Sequence, residues 1–254
     1  MKNLRPGRTA LKKPLRATSF RADMLENRDH GRGDPPAARP PRLSLTNTLL
    51  VVNGVVFLVQ MYVKVKRPTF PMDHYLGLSL DGLRHGYLWQ LLSFQFLHGG
   101  IFHLLINSWG IYVFGPPVEH AVGRRRFLWL YLLSGLFGGA VHVVGGLAFP
   151  SHFGTIMTGH ATAYIPVVGA SAGLCGLIGA FATLFPQAEL RLLLPPVTVT
   201  ARVLLGVSAG VGLLGVFLAG DNVAHGAHLG GMVMGLLFVR FTAISHPQLR
   251  DAGK

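Results

Sequence analysis

Apolar positions along this chain gather into six runs, at about 43–63, 100–114, 127–149, 170–185, 203–219 and 224–241. Each comes near the roughly 20 residues that an α-helix needs to cross a hydrocarbon layer. The second and fourth are short until their partly polar leading ends, 94–99 and 164–169, are added. The pattern predicts six transmembrane helices, and the expected fold class is all-α, a polytopic membrane bundle. No internal repeat is apparent.

Composition agrees with a membrane-spanning chain. Half of the 254 residues are apolar, 13% are charged, and mean hydropathy is +0.44, which argues against an ordinary soluble domain. The net charge of +13 would suit a nucleic-acid binder only if it covered a face, but eleven of the 23 Lys and Arg precede residue 43. They lie in a segment rich in Arg and Pro with too little apolar content to bury a core. Residues 1–42 are therefore expected to be a disordered cytoplasmic arm that touches anionic lipid. Residues 43–243 form the membrane domain, and 244–254 a short cytoplasmic tail. The expected partners are membrane lipid and no nucleic acid; oligomeric state is left open.

The alternative for the arm is an organelle transit peptide, since Lys2, Arg5, Arg8, Lys12, Lys13 and Arg16 precede any acid. Prolines that interrupt an amphipathic helix, and the early Asp23, Glu26, Asp29 and Asp34, favour the cytoplasmic arm. A bacterial inner membrane is accordingly preferred to an organelle membrane. No cleavable secretory signal is evident.

Charge sets the orientation. With the amino end inside, the inner segments hold nineteen Lys and Arg and the outer ones four, Lys64, Lys66, Arg67 and Arg84. Positive residues stay on the cytoplasmic side, so both termini are expected there. The first outer segment, 64–97, is punctuated by Tyr75, Tyr87, Leu88 and Trp89 and should lie partly in the interface. The segment before the fourth run, 150–168, carries no charge if its histidines are neutral.

Polar groups break three of the runs. The second opens with His98, His103 and Asn107, the fourth with Ser171, and the sixth with His225 and His228. All three run from outside to inside, so these groups share the outer end. By the helical rise, Ser171 stands about 24 Å above Gln187 and His228 about 18 Å above Arg240, depths that agree once tilt and snorkelling are allowed for.

Ser171 sits in Gly169-Ala170-Ser171-Ala172-Gly173. One reading is a small-residue face for close helix packing, with the hydroxyl bonded back to a carbonyl. The other is a nucleophile. Intramembrane histidines need a partner or a cavity, and four polar groups at one level on three helices favour the second reading.

A serine hydroxyl needs a base within about 2.6–3.2 Å, and neutral imidazole is the usual one. His228 is the candidate base, because Ala227, Gly230, Gly231 and Gly235 let its helix approach the small face around Ser171. His103 and Asn107, four apart, share a helix face and can donate two N–H groups to one oxyanion. A metal held by His98, His103, His225 and His228 is disfavoured by the spacing of five and the lack of a carboxylate. Asp221 is the only acid near His228, so a Ser-His dyad is preferred to a triad. Cys175 is the only cysteine, which excludes an internal disulfide and a cysteine metal site. No cofactor is expected.

In this arrangement the chain resembles the rhomboid family of intramembrane serine proteases. The residues that carry the resemblance are His98-x4-His103-Leu104-x2-Asn107, Phe114-Gly115-x3-Glu119-x3-Gly123, Arg126-Phe127-x3-Tyr131-x2-Ser134-Gly135, Gly169-Ala170-Ser171, and Ala227-His228-Leu229-Gly230-Gly231, in order between Leu88 and Leu237. The resemblance implies a six-helix rhomboid-like bundle, with Ser171 as nucleophile and His228 as base. It further implies an oxyanion site from His103, Asn107 and the Ser171 amide, and transmembrane protein substrates that enter laterally and unwind before cleavage. Two positions depart from the family pattern: Ser108 stands where Met is usual, and Cys175 where an aromatic ring often stacks on the base. Glu119 is expected to be a structural acceptor or an arginine partner, not an acid catalyst. The competing readings are a silent relative that binds transmembrane segments, which would lack Ser or His, and a proton-coupled transporter, which would show midplane acids and inverted repeats.

Overall fold

Ser44 begins the described chain by capping the first helix, its hydroxyl accepting from the Asn47 amide at 3.1 Å. The computed structural model describes residues 44–149, 155–158, 161–164, 166–192, 196–218 and 223–245. The chain divides into two units, Met1–Arg42 and Leu43–Lys254. The basic arm, Asp221 and residues 246–254 of the expected tail lie outside the described residues.

Helix α1, Leu45–Lys66, buries Thr46, Leu49, Asn53, Phe57 and Gln60. These positions recur every three or four residues and so form one stripe. The stripe holds three polar side chains, while Val51, Val55, Leu58 and Tyr62 on the rest of the helix are exposed. A helix whose outward residues are apolar and whose inward stripe carries polar groups suits lipid as its solvent.

The segment expected to rest in the interface contains three short helices, α2 at Met72–Leu76, α3 at Leu80–Arg84 and α4 at Gln90–Ser93, then a 3₁₀ turn at Phe94–Phe96. Gln90 knits them together: its Oε1 accepts from Ser79 N at 3.1 Å and its Nε2 donates to His74 O at 2.7 Å. Ser93 Oγ adds a bond to Leu76 O at 2.6 Å.

Helix α5, Ile101–Val122, runs well past the end expected near residue 114. Gly115-Pro116-Pro117 is a stop signal in water. Here the two prolines sit inside the helix, which ends at Gly123, where φ is +81°. Prolines are tolerated inside membrane helices because neighbouring groups satisfy the freed backbone. Helix α6, Arg124–Ala148, follows at once. It starts earlier than expected because its first turn is three arginines, which an apolar criterion cannot see.

The segment 150–168 contains an antiparallel pair, β1 at Thr155–Thr158 and β2 at Ala161–Tyr164, with Thr155 opposite Tyr164. Helix α7, Ser171–Leu184, is largely buried, and α5, α6 and α9 pack around it. A second antiparallel pair, β3 at Glu189–Arg191 and β4 at Thr198–Thr200, leads to α8, Ala201–Leu218. Helix α9, His225–Ser245, closes the bundle against α6 and α7. A helix therefore occupies each of the six predicted runs. Among the described residues three helices, α1, α6 and α8, are long and apolar enough to cross a membrane.

Candidate active site

Ser171 is the first residue of α7, and the backbone before it makes the placement possible. Gly169 has φ +135°, a conformation that a side chain would strain. A Cβ there would also stand 2.8 Å from His103 Nε2. Two backbone ties fix the approach from outside the helix. Leu78 and Val167 exchange N–H···O bonds of 2.9 and 2.8 Å, and Gly169 N donates to Phe94 O at 2.9 Å. Ala170 precedes the helix without a side-chain cap, so the positive end of α7 is presented at Ser171.

The partner of Ser171 arrives on α9. A Cβ on Gly231 would strike the Ala172 carbonyl, and one on Gly235 would strike the Gly176 carbonyl, so the two helix backbones touch along this step. Gly138 of α6 faces the Ala227 carbonyl in the same way, and a Cβ on Gly173 would meet the Tyr131 ring at 2.7 Å. This interlock sets α9 in register with α7. His228 Nε2 then lies 2.8 Å from Ser171 Oγ, within hydrogen-bond reach for proton transfer.

The second predicted pair lies on α5. His103 is half-buried, and the same Gly169 Cβ position that meets its Nε2 is 3.5 Å from Ser171 Oγ, so the ring borders the hydroxyl. His103 Nδ1 accepts from Gly99 N at 3.4 Å. In a neutral ring this places the proton on Nε2, the nitrogen beside the serine. Asn107 is buried, and its Nδ2 makes no hydrogen bond among the described residues. Lower down, a Cβ on Gly110 would meet Leu174 at 2.6 Å. That crossing puts Asn107, one turn before Gly110, level with Ser171, one turn before Leu174. The arrangement can activate a hydroxyl and can present N–H donors beside it.

Other singled-out residues fall elsewhere. His98 is buried ahead of α5, its ring edge-on to His103 with centroids 5.3 Å apart. His225 opens α9 and packs on Gly215 of α8, edge-on to His228 at 6.3 Å. Among the described residues no three His, Cys, Asp or Glu side chains group as metal ligands. Glu119 lies far along α5 from His103 and accepts from Leu45 N, Thr46 N and Thr46 Oγ1 at 2.7, 2.9 and 2.8 Å, with Arg124 3.9 Å away. It is a structural acceptor.

Gln60 was not singled out by the sequence. His98 N donates to Gln60 Oε1 at 3.0 Å, and Gln60 Nε2 donates to His98 O at 3.4 Å. A signal existed, since an amide inside an apolar run needs a partner. The Phe94 carbonyl had none, because a backbone acceptor leaves no trace in residue type.

A family model described as the rhomboid domain matches residues 85–244. The human "Presenilin-associated rhomboid-like protein, mitochondrial" is 29% identical over 153 residues, 60% of this chain and 37% of that protein. "Rhomboid protein 1, mitochondrial" of Saccharomyces cerevisiae is 30% identical over 149 residues, 59% of this chain and 40% of that protein. "Putative rhomboid protease YdcA" of Bacillus subtilis is 35% identical over 109 residues, 43% of this chain and 47% of that protein. The matched region spans less than half the length of each of these relatives.

Proposed function

Because this chain belongs to the rhomboid family of membrane proteins, we propose that it is an intramembrane serine endopeptidase working through Ser171 and His228. The observation that carries the reading is the 2.8 Å contact between Ser171 Oγ and His228 Nε2. As a peptide carbonyl of the substrate approaches, Ser171 Oγ attacks its carbon and His228 Nε2 takes the hydroxyl proton. The oxyanion that forms draws on Asn107 Nδ2–H, His103 Nε2–H and the Ser171 amide at the positive end of α7. His228 then passes its proton to the leaving amine, and a water activated by the same imidazole releases the acyl group.

The substrates in this reading are transmembrane segments of other proteins, which must unwind locally before a carbonyl is exposed to Ser171. In this reading the helices of the six apolar runs are six spans, both termini are cytoplasmic, and the dyad lies toward the outer leaflet. The relatives named as mitochondrial weaken the expectation of a bacterial membrane and strengthen the organelle alternative. No cofactor takes part.

The test is labelling of the purified protein with a fluorescent fluorophosphonate, comparing wild type with Ser171→Ala and His228→Ala. Labelling of wild type that is lost in both variants is the expected result. A folded wild type that takes no label would overturn the protease reading in favour of a silent relative that binds transmembrane segments.

A further inference from the structure

Between the 3₁₀ turn and α5, the Leu97 and His98 side chains are buried, but the two glycines that follow have little to hold them in place. Gly100 is fully extended, with φ and ψ both 173°, and a Cβ on it would touch nothing within 4 Å. Among the described residues, a Cβ on Gly99 would find only His103 Nδ1, at 3.8 Å. Yet this stretch delivers the Gly99 amide to His103 Nδ1. Two glycines without packing neighbours cannot fix that amide by themselves, because glycine is the most freely rotating residue.

The anchor is Gln60. It is buried in α1, and its amide pairs with both polar groups of the His98 backbone, the two-point contact that a neighbouring strand would make. His98 immediately precedes Gly99, so the clamp sets the direction in which the next amide points. Taking His103 as an oxyanion donor, as the proposed function does, we infer that Gln60 is its positioning residue. By holding the His98 peptide, Gln60 keeps the Gly99 N–H on His103 Nδ1 and so keeps the His103 proton on Nε2, facing Ser171. The interaction runs from a spanning helix that contributes nothing directly to the dyad into the protonation pattern of the site. Loss of the clamp would free Gly99, let the ring exchange tautomers, and present an acceptor to the oxyanion for part of the time.

The test uses full-length protein in nanodiscs and two variants. Gln60→Met keeps the side-chain volume and removes both bonds; Gly99→Pro retains Gln60 and removes the N–H, while also fixing φ at residue 99. Imidazole nitrogen NMR, with His103 assigned by its loss in His103→Asn, reads the tautomer without reference to activity. Turnover of a transmembrane-segment substrate and the fluorophosphonate labelling rate read the site. Wild type should show a single Nε2–H tautomer at His103. Both variants should show exchange between tautomers, with kcat and labelling lowered at least about tenfold, below the roughly 10²–10³ ceiling for one oxyanion donor, and KM unchanged. A folded Gln60→Met that keeps the single tautomer, or that labels at the wild-type rate, overturns the inference. Should Gln60→Met not fold, Gln60→Glu, which keeps the acceptor for His98 N and removes the amide donor to His98 O, decides by the same criteria. Absent labelling of wild-type Ser171 would instead sink the protease reading, while the nitrogen spectrum would still decide whether Gln60 governs His103.

Discussion

Two buried acceptor and donor groups on α5 show how differently polar residues can serve one helix. Glu119 takes three hydrogen bonds from the first turn of α1. A carboxylate there satisfies amides that the helix itself cannot and complements the positive end of its dipole. Bonds to a charged group are worth more than neutral ones, and truncation would leave buried donors unpaired, so Glu119→Ala should cost about 3 kcal/mol. The Arg124 contact is long, at 3.9 Å, and Arg124 is 45% exposed, so that pair contributes under about 1 kcal/mol. Thermal denaturation should therefore show a large fall in Tm for Glu119→Ala and a small one for Arg124→Ala, and equal falls would refute the capping role. Asn107 is the opposite case, a buried donor with no partner among the described residues. Asn107→Ala should leave Tm nearly unchanged and lower kcat by roughly 10²–10³, the usual loss for one oxyanion donor. An unaltered kcat in steady-state cleavage would remove it from that role.

At the scale of helices, glycine divides into two kinds. Gly235 lies where α9 meets the Gly176 carbonyl of α7, so a side chain would force the backbones apart. Gly235→Leu should destabilise the protein by on the order of 1–3 kcal/mol, as overpacking does. It should also abolish fluorophosphonate labelling in the fraction that still folds, because the same contact sets His228 on Ser171. Gly210 on α8 has nothing within 4 Å of its Cβ position. Gly210→Ala should be neutral or raise stability by up to about 1 kcal/mol through helix propensity. Tm and labelling measured on both variants test the distinction. The close step of Gly231 and Gly235 was legible in the sequence, since four-residue spacing of glycines in an apolar run has one main use. The Ser171–His228 pair was legible for a related reason: depth along a helix can be counted. The extra turns of α5 beyond Gly115 were not, because a Gly-Pro-Pro stop signal is calibrated on water. The three short helices around Gln90 were not either. They are held by side-chain amides on backbone carbonyls, and such pairing depends on the fold, not on local pattern.

Across the whole molecule, the end of the bundle that holds Ser171 is tied together by contacts between segments distant in sequence. Leu78 pairs with Val167, Phe94 with Gly169, and Gln60 with His98. The segment carrying α2 to α4 is therefore part of the frame around the site, and it belongs to the same end as Ser171. Gln187 lies just past the other end of α7, a helix about 20 Å long by helical rise. The proposed orientation places the Ser171 end outside, because nineteen basic residues fall on the inner side and four on the outer. The local cluster Lys64, Lys66 and Arg67 opposes that count, so orientation is a measurable balance between the arm and this cluster. With Cys175→Ala removing the only native thiol, single cysteines can be placed at two exposed positions, His85→Cys on the segment beside the site and Gln187→Cys beyond the far end of α7. A membrane-impermeant maleimide added to intact bacterial cells making the protein should label His85→Cys and reach Gln187→Cys only after lysis. The reverse pattern would turn the molecule over. It would show that the outer cluster outweighs the arm, and it would put the Ser171–His228 pair, with any cleavage it performs, near the inner leaflet.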